Sequence, residues 1–395
     1  MAARKIVEGV YWVGAVDWDR RIFDEVIPLP DGTSYNSYLV KGSEKIALID
    51  TVDPTKTNEL IGNLKEVGVK KIDYIIANHA EQDHSGSIPE MLKRHPEAKV
   101  VTNEKCRGML IDLLHVPAEK FIVVENHGTL SLGDKTLEFI LAPWVHWPET
   151  MFTYIKEDKI LFTCDLFGSH LATSDLYAKD ESKVLEAAKL YYATIMMPFK
   201  TLIRNHIKTI DSIDVQIIAP SHGPLYDKPQ FILNAHREWA SDKVENAVVI
   251  PYVSMHASTH AMVCHLSDAL TKRGVKVYQF NLMKTDAGKL AVASMDAATI
   301  VIATPTFLGG PHPTVAYAAM LLNALKPKTK YVAVINSYGW ASKTPEQIAA
   351  LTPAINAENI GAVSVKGHPT EKDYAALDAL SDTIARKHRE AEIVN

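Results

Sequence analysis

Asn78-His79-Ala80-Glu81-Gln82-Asp83-His84-Ser85-Gly86 puts four side chains that can hold a metal within six residues. The segment before it, Lys71-Ile72-Asp73-Tyr74-Ile75-Ile76-Ala77, is apolar and reads as a buried strand. The small polar residues after it suit a helix start. His79, Glu81 and Asp83 alternate, and an extended backbone would point all three the same way. The expectation is a strand that ends in a tight cluster of imidazole and carboxylate, completed by residues from elsewhere in the chain.

Outward from this stretch, the first half of the chain is strand-rich. Strands are expected near 10–14, 37–40 and 45–50, with a turn at 28–32 and a first helix at about 56–67. Beyond the cluster come a helix at 88–94, short strands at 99–101 and 121–124, and a helix between them at 104–114. A strand at 136–142 runs into Pro143-Trp144-Val145-His146-Trp147-Pro148. A hairpin of 151–155 and 159–164 ends at Asp165. Helical segments at 182–197 and on to 212 precede a strand at 215–220, which ends in Ser221-His222-Gly223-Pro224, and a helix at 231–244 closes the unit. His146, Asp165 and His222 thus each follow an apolar strand, which scattered surface residues would not do.

From Ala247 the pattern changes. Strands at 247–253, 275–280, 299–303, 330–335 and 361–364 alternate with helices near 260–272, 288–295, 314–325, 345–357 and 372–388. Five such steps imply a doubly wound parallel sheet. The domains are therefore read as 1–245 and 246–395, with the boundary near Glu245-Asn246. A chain of 395 residues has room for two cores of this size.

Composition narrows the functional classes. The 47% hydrophobic and 23% charged content is that of an ordinary globular chain. With 42 basic against 47 acidic residues there is no basic footprint for nucleic acid. No run of eighteen apolar residues offers a membrane span, and the first nine residues lack the apolar core of a signal peptide. Cys106, Cys164 and Cys264 are odd in number, far apart and form no CxxC pair. A cytoplasmic, reducing location is expected.

His79, Glu81, Asp83, His146, Asp165 and His222 make three imidazoles and three carboxylates. Any one of these histidines alone is more often a core or surface residue than a ligand. The set argues otherwise, because buried unpaired carboxylates cost on the order of several kcal/mol without a cation. Six donors exceed what one tetrahedral zinc takes and suit two metals ~3.5–4 Å apart that share a carboxylate. Nitrogen and oxygen donors without thiolate admit iron or manganese as well as zinc.

The run His79-Ala80-Glu81-Gln82-Asp83-His84 resembles the HxHxDH signature of metallo-β-lactamase-fold proteins, with Glu81 in place of the second histidine. That exchange, together with His146-Trp147-Pro148, Cys164-Asp165-Leu166-Phe167-Gly168 and Pro220-Ser221-His222-Gly223, resembles the flavodiiron proteins over nearly the whole chain. The resemblance implies an N-terminal metallo-β-lactamase-like αββα sandwich followed by a C-terminal flavodoxin-like doubly wound parallel sheet. It implies two iron ions, one on His79, Glu81 and His146, the other on Asp83 and His222, with Asp165 bridging. His84 is then expected beside the metals rather than on them. Trp147, Tyr192 and His170 would line the pocket, although ordinary core packing explains them equally well.

In a flavodoxin-like sheet, ligands bind beyond the strand ends at the switch point. The first such loop, Ser254-Met255-His256-Ala257-Ser258-Thr259, opens a helix and resembles a flavodoxin phosphate loop, in which N–H groups and hydroxyls make an anion site. An ordinary helix cap would look the same. Two further loops, Thr304-Pro305-Thr306-Phe307-Leu308-Gly309-Gly310 and Asn336-Ser337-Tyr338-Gly339-Trp340, strengthen the reading and could embrace an isoalloxazine ring, with His256 and His312 nearby. No GxGxxG follows the first strand, so FMN is favoured over NAD. The family usually carries glycines where this chain has Ala341-Ser342.

The resemblance implies reduction of dioxygen to water, or of nitric oxide to nitrous oxide, in a head-to-tail homodimer or a dimer of such dimers. No CxxC-containing rubredoxin segment follows the second domain, so electrons are expected from a separate donor, a rubredoxin or a reduced deazaflavin. Two other readings remain open at this point: a metal-dependent hydrolase with an appended flavodoxin, and a non-catalytic electron carrier.

Overall fold

The computed structural model describes residues 1–393. The chain divides into two compact units. One comprises Met1–Glu25, Leu29–Tyr192 and Phe199–Ala240; the other runs from Ser241 onward and includes the short pieces Val26–Pro28 and Ala193–Pro198.

The first unit is built on two large sheets. Strands Arg4–Val7, Val10–Trp12, Tyr38–Lys41, Ile46–Ile49, Tyr74–Ile76, Lys99–Thr102 and Phe121–Val123 lie side by side in that order. They are antiparallel as far as Ile46–Ile49 and parallel from there. The second sheet orders Thr129–Ser131, Thr136–Leu141, Met151–Ile155, Ile160–Cys164 and Ile217–Pro220, with only the last pair parallel.

Alternation along the strands sorts the side chains into layers. Leu39, Leu48, Ile75 and Val100 point outward, against Leu60, Leu64, Ile88, Met91, Cys106 and Leu110 of three helices. Tyr38, Val40, Ala47, Ile49, Ile76 and Val101 point inward and meet Leu137, Phe139, Met151, Ile155, Ile160 and Phe162 of the second sheet. On the far side, Phe152 meets His206 of helix Lys200–Asp211. The unit is an αββα sandwich.

The helix Glu104–Leu114 begins where the sequence suggests, because Asn103 accepts a hydrogen bond from the Cys106 N–H. The cluster stretch departs from expectation. It is not extended through Asp83: Glu81 caps a single helical turn, Gln82–Ser85, so Asp83 leaves in a different direction from His79. Gly223 shows how tightly the last strand end is packed. Its φ is +77°, and a Cβ there would lie 2.0 Å from Ser169 Oγ and 2.8 Å from the Ser169 carbonyl, so only glycine lets the chain past His222.

The second unit has five parallel strands: Glu245–Tyr252, Lys276–Asn281, Ala297–Phe307, Tyr331–Tyr338 and Glu358–Lys366. Their spatial order is second, first, third, fourth, fifth. This is the flavodoxin-like order, with its switch point between the first and third strands. Helices Ser258–Lys272 and Glu371–Glu390 cover one face. Ala287–Ser294, Pro313–Leu325 and Thr344–Leu351 cover the other. The fourth of these five helices is shorter than the expected 345–357, because Thr352 precedes Pro353, which disfavours continued helix. Among the described residues no helix is long and apolar enough to cross a membrane.

Candidate metal centre and flavin cleft

The strand ends of the sandwich converge on two adjoining sets of donors. His79 Nε2 and His146 Nε2 lie 3.2 and 3.1 Å from Glu81 Oε2, and 3.4 and 3.2 Å from Asp165 Oδ2. The other oxygen of Asp165 faces a second set. Asp165 Oδ1 is 3.0 Å from His84 Nε2 and 3.5 Å from His222 Nε2, while Asp83 reaches His84 at 3.2 Å and His222 at 3.3 Å.

These contacts fit cations better than hydrogen bonds. Both carboxylate oxygens of Asp83, both ring nitrogens of His84 and Asp165 Oδ2 are buried without a hydrogen bond of acceptable geometry. Buried polar atoms of this kind call for a partner. A metal with ligands at about 2.0–2.2 Å would leave donor–donor edges of about 3.0–3.5 Å, the spacing seen here. Cys164 also lies within reach of His84 and Asp165. Burial, with Asp165 beside it, pushes its thiol well above the ordinary range.

In the protein without a cation, the carboxylates set the charge of the histidines. Burial pulls His79 down, but hydrogen bonds to Glu149 and Glu81 and the charge of Asp165 outweigh it and hold the imidazole up at about 10. His146 is likewise held at about 10 against burial by Asp165 and Glu81, and His84 at about 9 by Asp83 and Asp165. Burial would raise Glu81 and Asp165; their histidine neighbours keep both below the usual carboxylate range. The centre therefore stores excess negative charge that either protons or metal cations neutralise.

A further ring of contacts orients the donors. His79 Nδ1–H donates to Glu149 Oε1 at 2.6 Å, which directs Nε2 into the centre. The same oxygen accepts the Ala80 N–H at 3.0 Å. His222 Nδ1–H donates to the Ser34 carbonyl at 2.7 Å, and the Ser221 hydroxyl donates to Asp165 Oδ1 at 2.9 Å. Sequence reasoning missed Glu149. Its only signal is a carboxylate close behind the His146-Trp147-Pro148 word.

Of the expected pocket residues, Trp147 packs edge-on to His79 and His146, with ring centres 5.0 and 6.2 Å apart. His170 lies against His222 at 4.7 Å and sets Nδ1 2.9 Å from Thr33 Oγ1. His84 turns its Nε2 toward Asp83 and Asp165, at 3.2 and 3.0 Å. One expectation needs correction. Tyr192 faces His236 and Trp239, whereas its neighbour Tyr191 packs on His170 and His222. The cause is local: the helix Glu181–Tyr191 gives way to a wider π turn at Tyr192–Met196, which changes the facing of successive side chains.

In the second unit a cleft of about 270 Å³ opens at the strand C-termini, beside the switch point. Met255, His256, Ser258, Thr259, Pro305, Thr306, Ser337, Tyr338 and Gly339 line it, and Gly367 and His368 of the fifth loop complete it. The other expected residues do not form its wall. Ser254 caps the following helix by accepting the His260 N–H, and the exposed Ala257 precedes that helix in the left-handed region. The Thr304 hydroxyl accepts the His312 N–H, and His312 caps its own helix. Leu308 and Trp340 are 86% and 84% exposed; Phe307 ends its strand, and Gly309 shares the turn beyond it with Leu308. Asn336 is buried and donates to Ser342 Oγ at 3.1 Å, while Thr306 Oγ1 donates to Ser342 at 3.0 Å. Ser342 thus ties the third loop to the fourth. Hydroxyls and the N-terminus of a 15-residue helix make the cleft fit a phosphorylated flavin.

A β-lactamase-type sandwich with a two-metal donor set, followed by a flavodoxin-like sheet with an anion-ready cleft, defines a metal- and flavin-dependent class of protein. Residues 33–223 match the family model described as ODP family beta lactamase. A nitric oxide reductase of Moorella thermoacetica is 36% identical, over 85% of this chain and 86% of that one. A coenzyme F420H2 oxidase of Methanothermobacter marburgensis is 35% identical, over 82% and 83%. The solved structure of rubredoxin oxygen:oxidoreductase from Desulfovibrio gigas superposes with a TM-score of 0.94 at 30% identity, covering 98% of this chain and 99% of that one. The chain belongs to the flavodiiron protein family.

Proposed function

We propose that this protein reduces dioxygen to water, nitric oxide to nitrous oxide, or both, at a diiron centre fed through FMN. Its single strongest support is Asp165, whose two oxygens face different donor sets, with His79, Glu81 and His146 on one side and Asp83, His84 and His222 on the other. When bound, two irons and one FMN supply four electrons and two adjacent positions for a small ligand. Dioxygen takes four electrons and four protons to give two waters. Two nitric oxide molecules take two of each to give nitrous oxide and one water.

The chain's own residues supply the setting. Glu149 and the Ser34 carbonyl fix the imidazoles of His79 and His222 with Nε2 inward. Trp147 and Tyr191 cover the rings and keep bulk water from them. Glu81, beside both His79 and His146, replaces an imidazole by a hard oxygen donor. That favours iron over the zinc of a hydrolase. The donor is rubredoxin or a reduced deazaflavin, as the names of the relatives suggest. The working unit is a head-to-tail homodimer, in which one subunit's flavin serves the other's metals.

The test is metal and flavin analysis of the purified protein, then anaerobic reduction and separate addition of each gas. Two irons and one FMN per chain, with flavin reoxidation by at least one gas, are expected. Zinc without a redox response, or a reduced flavin that neither gas reoxidises, would overturn the assignment. An obligate monomer with full turnover would remove the dimer from it.

A further inference from the structure

The cleft of the second unit is lined without a lysine or arginine, yet the proposed cofactor carries a phosphate. The only basic side chains in that lining are the imidazoles of His256 and His368. His256 sits in the hydroxyl-rich first loop. His368 reaches the same place from the opposite end of the domain sequence: its Nδ1 is 3.5 Å from the hydroxyl of Ser258, the first residue of helix Ser258–Lys272.

His368 is also held. On one side, Gly367 adopts φ +77°, a conformation suited to glycine, and its N–H donates to the Tyr338 carbonyl at 2.8 Å. That bond fastens the fifth loop to the fourth. On the other side, Thr370 and Asp373 form a reciprocal cap that fixes the start of helix Glu371–Glu390. Between these two anchors Pro369 limits the backbone further. The backbone that carries the ring is thus fixed before a ligand arrives.

We infer that His368 is a phosphate-binding residue for FMN, donating from its imidazolium to the phosphate at the N-terminus of helix Ser258–Lys272. The inference rests on the flavin reading above. A helix terminus and hydroxyls bind a phosphate through dipoles alone; an imidazolium adds a full charge that is present only below its pKa. FMN retention therefore depends on pH, and riboflavin, which has no phosphate, does not share the dependence. The other titratable groups near the ring are His256 and Tyr338 across the cleft, His260 on the adjoining helix, Lys366 on its own strand, and Glu371 and Lys372 on the helix that follows. Asp373 is engaged in the cap.

An imidazolium on the phosphate makes FMN bind about fivefold more tightly at pH 6.5 than at pH 8.5. The lower limit of the window is set by the phosphate's own second pKa of about 6. The holoprotein is diluted at the two pH values and released FMN is followed by its fluorescence. Riboflavin is titrated into flavin-depleted protein under the same conditions. H368Q and H256Q are treated alike, with circular dichroism as the check on folding.

The expected result is a pH-dependent FMN affinity in the wild type that H368Q abolishes, a loss of about tenfold at pH 6.5 as fits one charge-assisted contact, and unchanged riboflavin binding. FMN affinity equal at both pH values would overturn the inference. So would a dependence that survives in H368Q and disappears in H256Q. Failure of both flavins to bind would instead remove the flavin reading, and this inference with it.

Discussion

Glu149 offers the most direct test of how the metal centre is built. It touches no other donor of the centre, yet its Oε1 accepts both the His79 ring N–H at 2.6 Å and the Ala80 N–H at 3.0 Å, and it is buried. Burial would raise its pKa, but His79 outweighs that and holds the carboxyl below its usual range. In E149Q, the amide oxygen can still accept both N–H groups, so the shape survives and the charge is lost. Iron affinity should fall by about tenfold, the lower end expected when an outer partner of a ligating histidine is changed. In E149A the Ala80 N–H is left buried without an acceptor and His79 is free to turn. Affinity should then fall by about a hundredfold. Stability should drop by about 2–4 kcal/mol, from one unsatisfied amide and one charge-assisted hydrogen bond. The assay is competition for iron against a chelator series, paired with urea unfolding of each variant. If both variants held iron as the wild type does at every chelator concentration, the orientation of His79 would not depend on Glu149 and the reasoning would fail.

Two further outcomes separate the donor sets and probe the buried histidines. E81A should lose about one metal per chain and D165A about two, because Glu81 faces one set and Asp165 faces both; equal losses by metal analysis would contradict the sharing. His236, far from water and packed between Phe167 and Trp239, is pushed down by burial to about 3. Its unfolded form takes up a proton near 6.5 and its folded form does not, so its contribution is full above 6.5 and is lost as pH falls toward 3. H236Q should flatten the pH dependence of unfolding free energy across that window by up to about one proton, and a slope unchanged from wild type would refute the burial argument.

Much of this could be read in the chain, for definable reasons. The parallel sheet of the second unit follows from strands and helices in strict alternation. The six donors stand out because each follows an apolar strand and because carboxylates and imidazoles are rarely grouped there for packing. What escaped was set by local backbone turns. The one-turn helix after Glu81 aims Asp83 and His84 together, and alternation in an assumed extended segment could not give that. The π turn after Tyr191 decides which of two adjacent tyrosines meets His222. Glu149, Gly367 and His368 lie in loops, where no periodicity reports on facing. The serine at 342 looked like a departure in the sequence, and only the hydrogen bonds from Asn336 and Thr306 explain its place.

The donors of the metal centre come from both layers of the sandwich: His79, Glu81, Asp83 and His84 follow a strand of the first sheet, and His146, Asp165 and His222 follow strands of the second. A cation held by both groups is therefore a rivet through the two layers. Its binding free energy resists their separation, so metal supply and resistance to unfolding are one thermodynamic quantity in this unit. A cell short of iron would hold not merely an idle enzyme but a looser one, more open to proteolysis and turnover.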